Sequence, residues 1–254
     1  MPTIIKTMWA DVVDLRDFYE TEMGQIAEAM VRRSIRGLWP DLSKCRVAGL
    51  GYAVPYLEQF REESPQVMAL MPAQQGVLHW PAEGPGAVAL VEETALPLPD
   101  SSIDRLLLVH GLESSEALRA LMEEIWRVLA GDGRLLVVTP NRRGLWSRSD
   151  SSPFGWGQPY GLQQLNRLLR GYGFVPTASD RALYLPPIRS RTLMKSAEAW
   201  ERLGARWFTR FSGVVLAEAR KQVWAASTVR PARSRRPVVV PIPNAAPIRR
   251  QALR

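Results

Sequence analysis

Two groups of polar side chains follow apolar segments of this sequence, where strand ends can present side chains for chemistry. His110 follows the apolar run 106–109, and Asn141, Arg142 and Arg143 follow a second apolar run. An imidazole can act as a general base near neutral pH. Two neighbouring guanidinium groups can bind a carboxylate or a phosphate. These residues are therefore the first candidates for an active site.

Each group also has a purely structural interpretation. His110 could be a hydrogen-bonded histidine at a strand end, and Arg142 and Arg143 could be solvated or packed along a tryptophan face such as Trp146. The segment 141–161 is rich in glycine and aromatic residues, so it could close over an acceptor or form a rigid plug over a sheet edge. The sequence leaves these alternatives open.

Residues 87–139 predict the elements that position these side chains. Strands are predicted at 87–91, 106–109 and 134–139, and a crossover helix ends near Leu129. A strand, a turn, a strand, a helix and another strand form a parallel α/β unit, because parallel strands need a crossover connection. In such a sheet ligands bind beyond the carboxyl ends of the strands.

The rest of the chain continues this alternation. Helical spacing over 14–38, interrupted by Gly24, predicts one bent helix or two short ones. The segment 131–133, with two glycines, is predicted to end the crossover helix. The other predicted elements are strands at 46–50, 66–71, from 173 and at 213–224, and helices from 56, at 162–172 and at 197–208.

The order of residue types and predicted elements in 92–139 resembles that of one large enzyme family. An acid, Leu96-Pro97, Asp100, an apolar strand and a helix ending in Arg127-Val128-Leu129 follow each other in the order typical of class I S-adenosylmethionine-dependent methyltransferases of the type 11 kind. The resemblance covers residues 40–175 well and the remainder loosely. It implies a Rossmann-like three-layer α/β sandwich, with a mostly parallel seven-stranded sheet and an antiparallel final strand.

The same resemblance implies S-adenosylmethionine as the cofactor, held by the loop after the first strand. An ungapped alignment places Gly49 where the family has an acid, Gly51 at its first glycine and Ala53 at its second. Met71 falls where an acid binds the ribose, and Glu92 where an acid reaches the adenine amino group. These five residues are the predicted cofactor-binding set.

Two functions follow from this comparison. The first is a methyltransferase of unknown acceptor, with His110 as the base and Asn141, Arg142, Arg143 and Trp146 in a substrate loop. The second is a catalytically inactive relative that serves as an interaction or regulatory module. The second is motivated by the two missing acids, since losing two charge-assisted hydrogen bonds weakens binding by about two to four powers of ten.

The charge of the chain is concentrated at its end. The net charge is +8, and seven arginines without any acid lie in the proline-rich segment 226–254. We therefore predict three parts: a helical cap at 1–40, an α/β domain at 41–225 and a disordered basic tail at 226–254. The tail is either a solubilising terminus or a weak, salt-sensitive contact for an anionic partner.

The small numbers of cysteines and histidines limit which disulfide bonds and metal sites the chain can form. The only cysteine is Cys45, so no internal disulfide forms, and a cytoplasmic location is expected. Two histidines and one cysteine make a zinc site very unfavourable. No apolar stretch reaches the length of roughly 20 residues that a membrane helix needs. The sequence names neither the acceptor nor the oligomeric state.

Overall fold

A single twisted sheet carries the described residues of the computed structural model, which are 9–188 and 196–223. Within them the strand order is β3-β2-β1-β4-β5-β7-β6. Strands β1 to β5 run parallel, and β7 is antiparallel to both β5 and β6. The predicted Rossmann-like sheet with an antiparallel final strand is confirmed. The strands are β1 Arg46–Gly51, β2 Gln66–Pro72, β3 Val88–Val91, β4 Ile103–Val109, β5 Leu129–Pro140, β6 Phe174–Ala182 and β7 Val214–Lys221.

Helices cover both faces of this sheet, as a three-layer sandwich requires. On one face α1 and α2 pack with the first turn after β1, around Trp39, Tyr56 and Phe60. On the other face α4 and α5 bury Leu121 and Leu165. The helices are α1 Val12–Glu20, α2 Glu22–Leu38, α3 Val54–Leu57, α4 Leu118–Val128, α5 Leu162–Gly171 and α6 Ala197–Trp207.

The N-terminal region forms two short helices, which is one of the two alternatives that the sequence left open. The Thr21 backbone N–H donates to the carbonyl of Phe18, and the Thr21 hydroxyl accepts from Gly24 N at 3.0 Å. A Cβ on Gly24 would lie 2.0 Å from the carbonyl oxygen of Phe18. Glycine is therefore required where the chain turns sharply from α1 into α2.

The connections around β2 are shorter than in a regular α/β unit. The helix predicted from residue 56 is the single turn α3, followed by a short 3₁₀ turn at Glu58–Phe60. Ser64 then ends the connection, because its hydroxyl donates to the carbonyls of Cys45 and Gln66. Residues 73–87 join β2 to β3 without a helix.

The predicted glycine stop after the crossover helix is wrong. α4 ends at Val128, β5 begins at Leu129, and the strand runs on through residues 131–133. Leu129 already pairs with Ile103 of β4, and its carbonyl accepts from the Lys221 ammonium at 2.6 Å. These tertiary contacts place Leu129 in the sheet, so α4 ends before Gly131 and Gly133.

A buried carboxylate ties the N-terminal helices to the far strands of the sheet. Glu218 of β7 accepts from the indole N–H of Trp39 at 2.9 Å and from the Arg134 guanidinium at 2.9 Å. The Thr177 hydroxyl donates to it as well. A common core thus joins 9–40 to the sheet, while the division at residue 40 stays a prediction.

Two further expectations concern the basic tail and membrane-spanning helices. The predicted basic tail 226–254 lies outside the described residues. Among the described helices none is long and apolar enough to cross a membrane.

Replacing Glu218 with alanine tests this tie. The change leaves the buried Trp39 N–H without an acceptor, so we expect the free energy of unfolding to fall by about 2–4 kcal/mol. The matched control is Glu123→Ala, since Glu123 forms an exposed helical ion pair with Arg119 and contributes under about 0.5 kcal/mol. Urea unfolding measures both, and equal losses would contradict the role given to Glu218.

Candidate active site at the carboxyl edge of the sheet

The turn after β1 is pulled tightly against β4. Gly51 has φ +79°, and a Cβ on it would lie 2.2 Å from the carbonyl oxygen of Val109. The N–H of Tyr52 donates to that same oxygen at 2.9 Å. Only glycine fits this close approach, because side chains rarely adopt positive φ and have no room here.

Position 49 has no space for the acid that the resemblance places there. A Cβ on Gly49 would lie 2.7 Å from the Cβ of Ala53 and 2.6 Å from a methyl carbon of Leu57. An aspartate would therefore have to push the first turn of α3 outward. Gly49, Gly51 and Ala53 do come together in this turn, and their assignment to a cofactor stays a prediction.

Aromatic side chains cover the turn. Tyr52 is 4% exposed, and Tyr19 of α1 stacks on it with ring centroids 5.6 Å apart at 24°. The Tyr19 hydroxyl lies 2.8 Å from the Tyr56 hydroxyl. Burial raises the pKa of Tyr52 to about 12 and raises the pKa values of Tyr19 and Tyr56 as well. All three therefore stay protonated near neutral pH and act as neutral hydroxyls.

His110 is held in a row of carboxylate, imidazole and hydroxyl. Its Nε2 lies 2.9 Å from the Tyr19 hydroxyl, and its Nδ1 lies 3.4 Å from Oε1 of Glu113. Its backbone has φ +49°, and its carbonyl accepts from the Gln75 amide at 3.2 Å. The contact between Nδ1 and Oε1 is not a hydrogen bond, so both carboxylate oxygens of Glu113 remain unpaired. One hydrogen bond joins Nε2 to the Tyr19 hydroxyl, and its direction depends on the tautomer of the ring.

Buried polar atoms without a hydrogen-bond partner gather at this edge. In the described part of the chain they include Gln75 Oε1 after β2, Glu93 Oε2 after β3, both carboxylate oxygens of Glu113 after β4 and the Thr139 hydroxyl near the end of β5. Each such group costs roughly 1–3 kcal/mol when it stays unpaired. A set composed mainly of acceptors is what a donor-rich ligand needs.

The two remaining predicted cofactor residues differ in their surroundings. Glu92 is exposed at the end of β3, where it can reach a ligand from solvent. Met71 is fully buried at the end of β2, and its sulfur accepts from the N–H of Leu78 at 3.5 Å. The predicted roles of both residues stay predictions.

The predicted substrate loop has two inward-facing and two exposed residues. The Asn141 side-chain amide donates to the carbonyls of Arg210 and Ser212, and the buried Trp146 donates to the carbonyl of Leu185 at 2.6 Å. These contacts fix the loop, as in the plug interpretation. The side chains of Arg142 and Arg143 are exposed and line a separate pocket.

Four residues at this edge were not predicted from the sequence: Tyr19, Gln75, Glu93 and Glu113. Glu113 lies three residues after His110, and this spacing was the one local signal that could have indicated it. Glu93 follows Glu92 directly, and only the strand end decides which of the two points inward. Tyr19 reaches His110 across 91 residues of sequence, so no local pattern could have indicated it.

Residues 47–137 match the family model of a methyltransferase domain. This segment begins in β1 and ends within β5, so it contains the strands whose ends carry the residues described above. No curated protein matches the chain in sequence.

Several solved structures with the same fold are methyltransferases by their descriptions. One is a Thermotoga maritima S-adenosylmethionine-dependent methyltransferase, described as a possible histamine N-methyltransferase, with TM-score 0.57, 14% identity and coverage of 83% of this chain and 96% of that one. Another, from Archaeoglobus fulgidus, has TM-score 0.54, 18% identity and coverage of 82% and 98%.

A third is the 1,6-didemethyltoxoflavin-N1-methyltransferase of Burkholderia thailandensis, solved with bound 1,6-didemethyltoxoflavin and S-adenosylhomocysteine. It has TM-score 0.53, 16% identity and coverage of 84% of this chain and 85% of that one. At such identities these likenesses establish the fold.

Removing one hydroxyl tests the row at His110. Tyr19→Phe takes a hydrogen-bond partner from both Tyr56 and His110, so we expect a loss of about 1–3 kcal/mol in the free energy of unfolding. Tyr172→Phe is the matched control, because its hydroxyl has no hydrogen bond among the described residues. Chemical denaturation at pH 7 compares them, and an unchanged Tyr19→Phe variant would contradict the network.

Proposed function

We propose that this chain transfers a methyl group from S-adenosylmethionine to an acceptor, because residues 47–137 match a methyltransferase-domain model and the chain has the fold of solved S-adenosylmethionine-dependent methyltransferases. One observation carries the proposal. The matched segment spans the strands whose carboxyl ends hold buried, unpaired acceptor groups. These ends are where an α/β sheet binds its ligands.

The chemistry of these acceptors fits the cofactor. S-adenosylmethionine presents an ammonium, two ribose hydroxyls and an adenine amino group, all of which donate hydrogen bonds. Gln75, Glu93 and Glu113 offer unpaired oxygens after β2, β3 and β4, on both sides of the turn that follows β1, and Glu92 adds an exposed carboxylate. In our proposal these groups take over from the acids that positions 49 and 71 lack.

In this proposal, the residues around His110 act on the molecule that accepts the methyl group. The cofactor, when bound, supplies an electrophilic methyl group on a sulfonium. His110 is the proposed base, and Glu113 and Tyr19 are positioning residues that fix its ring from both sides. The surrounding aromatic side chains exclude water. Positioning of this kind can supply much of the barrier reduction in an in-line displacement.

Access to the turn requires a movement of α1. Tyr19 stacks on Tyr52, the residue after Gly51, and both rings are buried, so we propose that they cover the backbone that the cofactor has to approach. We propose that α1 moves away when the cofactor enters and returns to close the site, in the manner of a lid.

Calorimetry with S-adenosylhomocysteine tests cofactor binding. We expect the native chain to bind at millimolar ligand or better, and Glu113→Gln to bind at least about tenfold more weakly, because a charged acceptor is lost. Glu116→Gln is the matched control, since Glu116 is exposed three residues further on. A folded native chain that gives no heat at millimolar ligand would refute this function.

A second candidate function is an inactive methyltransferase fold that serves as an interaction module. Met71 favours it, because a fully buried thioether engaged with Leu78 replaces the ribose acid. In this alternative the aromatic cover over Gly51 is permanent, and the outer surface of the domain carries the function.

Restoring an acid separates the two candidates. For the enzyme, Met71→Asp should tighten S-adenosylhomocysteine binding about tenfold or more over the native chain, because two ribose hydroxyls gain an acceptor. Met71→Leu, which keeps the apolar volume, should leave affinity unchanged. Ligand-dependent shifts of the melting temperature give the readout, since the buried charge lowers the starting value. Binding by the Met71→Asp variant alone would instead favour the module.

Location and wider contacts are also proposals. The lone thiol of Cys45 is in keeping with a cytoplasmic location. The basic tail 226–254 is proposed to make weak contacts with an anionic partner, which high salt would weaken.

A further inference from the structure

Five arginines converge on one pocket beside the far strands of the sheet. They follow β5, lie on α5, end β6 and precede β7, so four separate segments contribute them. The cavity has a volume of about 600 Å³. The arginines are Arg142, Arg143, Arg167, Arg181 and Arg210.

This concentration of positive charge is not compensated locally. None of the described residues that line the pocket is acidic, and none of the five guanidinium groups has a carboxylate partner among the described residues. Elsewhere in the fold Arg46, Arg127 and Arg134 each pair with a carboxylate at 2.7–2.9 Å. Five like charges around one hollow repel each other, and an anion relieves that repulsion.

Neutral groups complete the lining with further donors. The side chains of Gln163 and Gln164 border the pocket at the start of α5. The residue before that helix, Gly161, has no side chain to cap the first backbone N–H groups. These N–H groups and the positive end of the helix dipole add to the attraction for an anion.

The pocket's shape and chemistry point to one class of ligand. Planar guanidinium forks match phosphate oxygens in pairs. A volume of about 600 Å³ lies in the range of small-molecule sites. No described lining residue is aromatic, so the stacking platform that single-stranded nucleic acids use is missing. We propose that this pocket binds the phosphate or pyrophosphate group of a small molecule.

The phosphate site is separate from the proposed cofactor site. In segment 141–160, Arg142 and Arg143 line the pocket. Trp146 and Phe154 of the same segment instead contact each other and Phe18 of α1. Binding of a phosphate group therefore needs neither the cofactor nor methyl transfer.

Calorimetry of the full chain with inorganic pyrophosphate, without cofactor, tests the proposal. We expect Arg167→Gln and Arg210→Gln each to weaken binding about tenfold or more, because each removes a charge-assisted contact. The matched control is Arg170→Gln, which removes an equal charge from the exposed surface of the same helix outside the pocket. It should bind within about twofold of the native chain.

Three results would overturn the proposal: no binding by the native chain, equal weakening in all three variants, or tighter binding of succinate than of pyrophosphate. Equal weakening would assign the affinity to overall charge or to the basic tail. Tighter succinate binding would make the ligand a dicarboxylate. S-adenosylhomocysteine binding, measured on the same variants, should stay unchanged, so a failure here is distinguishable from a failure of the proposed function.

Discussion

The close approach of Gly51 to Val109 is the constraint on which the candidate site depends. Because β1 stays paired with β4 through this glycine, and the N–H of Tyr52 binds the same carbonyl, the turn cannot open without breaking sheet hydrogen bonds. The turn fixes the position of Tyr52, and Tyr52 gives Tyr19 a surface on which to stack. The first helix is thereby placed over the carboxyl edge.

The same constraint explains why polar groups are buried at that edge. Tyr19 brings a hydroxyl to His110, and Glu113 lies on the other side of the imidazole. The acceptor oxygens of Gln75 and Glu113 are shielded from water and remain unpaired. A closed site with unused acceptors stores a free-energy cost that a donor-rich ligand would relieve. The proposed phosphate pocket, beyond β5, does not share this cover.

The sequence predicted the sheet well because apolar runs and crossover lengths are local signals. The strands at 46–51 and 66–72 fall within a residue of their predicted bounds, and the strand at 174–182 begins one residue after its predicted start. The start of β5 was predicted wrongly, at residue 134 instead of Leu129, because Leu129 already pairs with Ile103 and its carbonyl accepts from Lys221, far along the chain. Within the site, His110 was predicted from a strand end and Gly51 from the family resemblance, but Tyr19 and Gln75, which contact His110, come from elements whose placement is purely tertiary.

A crystal structure of the chain grown with S-adenosylhomocysteine tests the central claim most directly, since the claim is that the Tyr19–Tyr52 cover gives way to the cofactor. The account predicts ligand density beside Gly51, with the two rings farther apart than their present 5.6 Å and with an oxygen of Glu113 or Gln75 in contact with the ligand. An unchanged stack over a ligand-free turn, in crystals that contain the compound at saturating concentration, would contradict it.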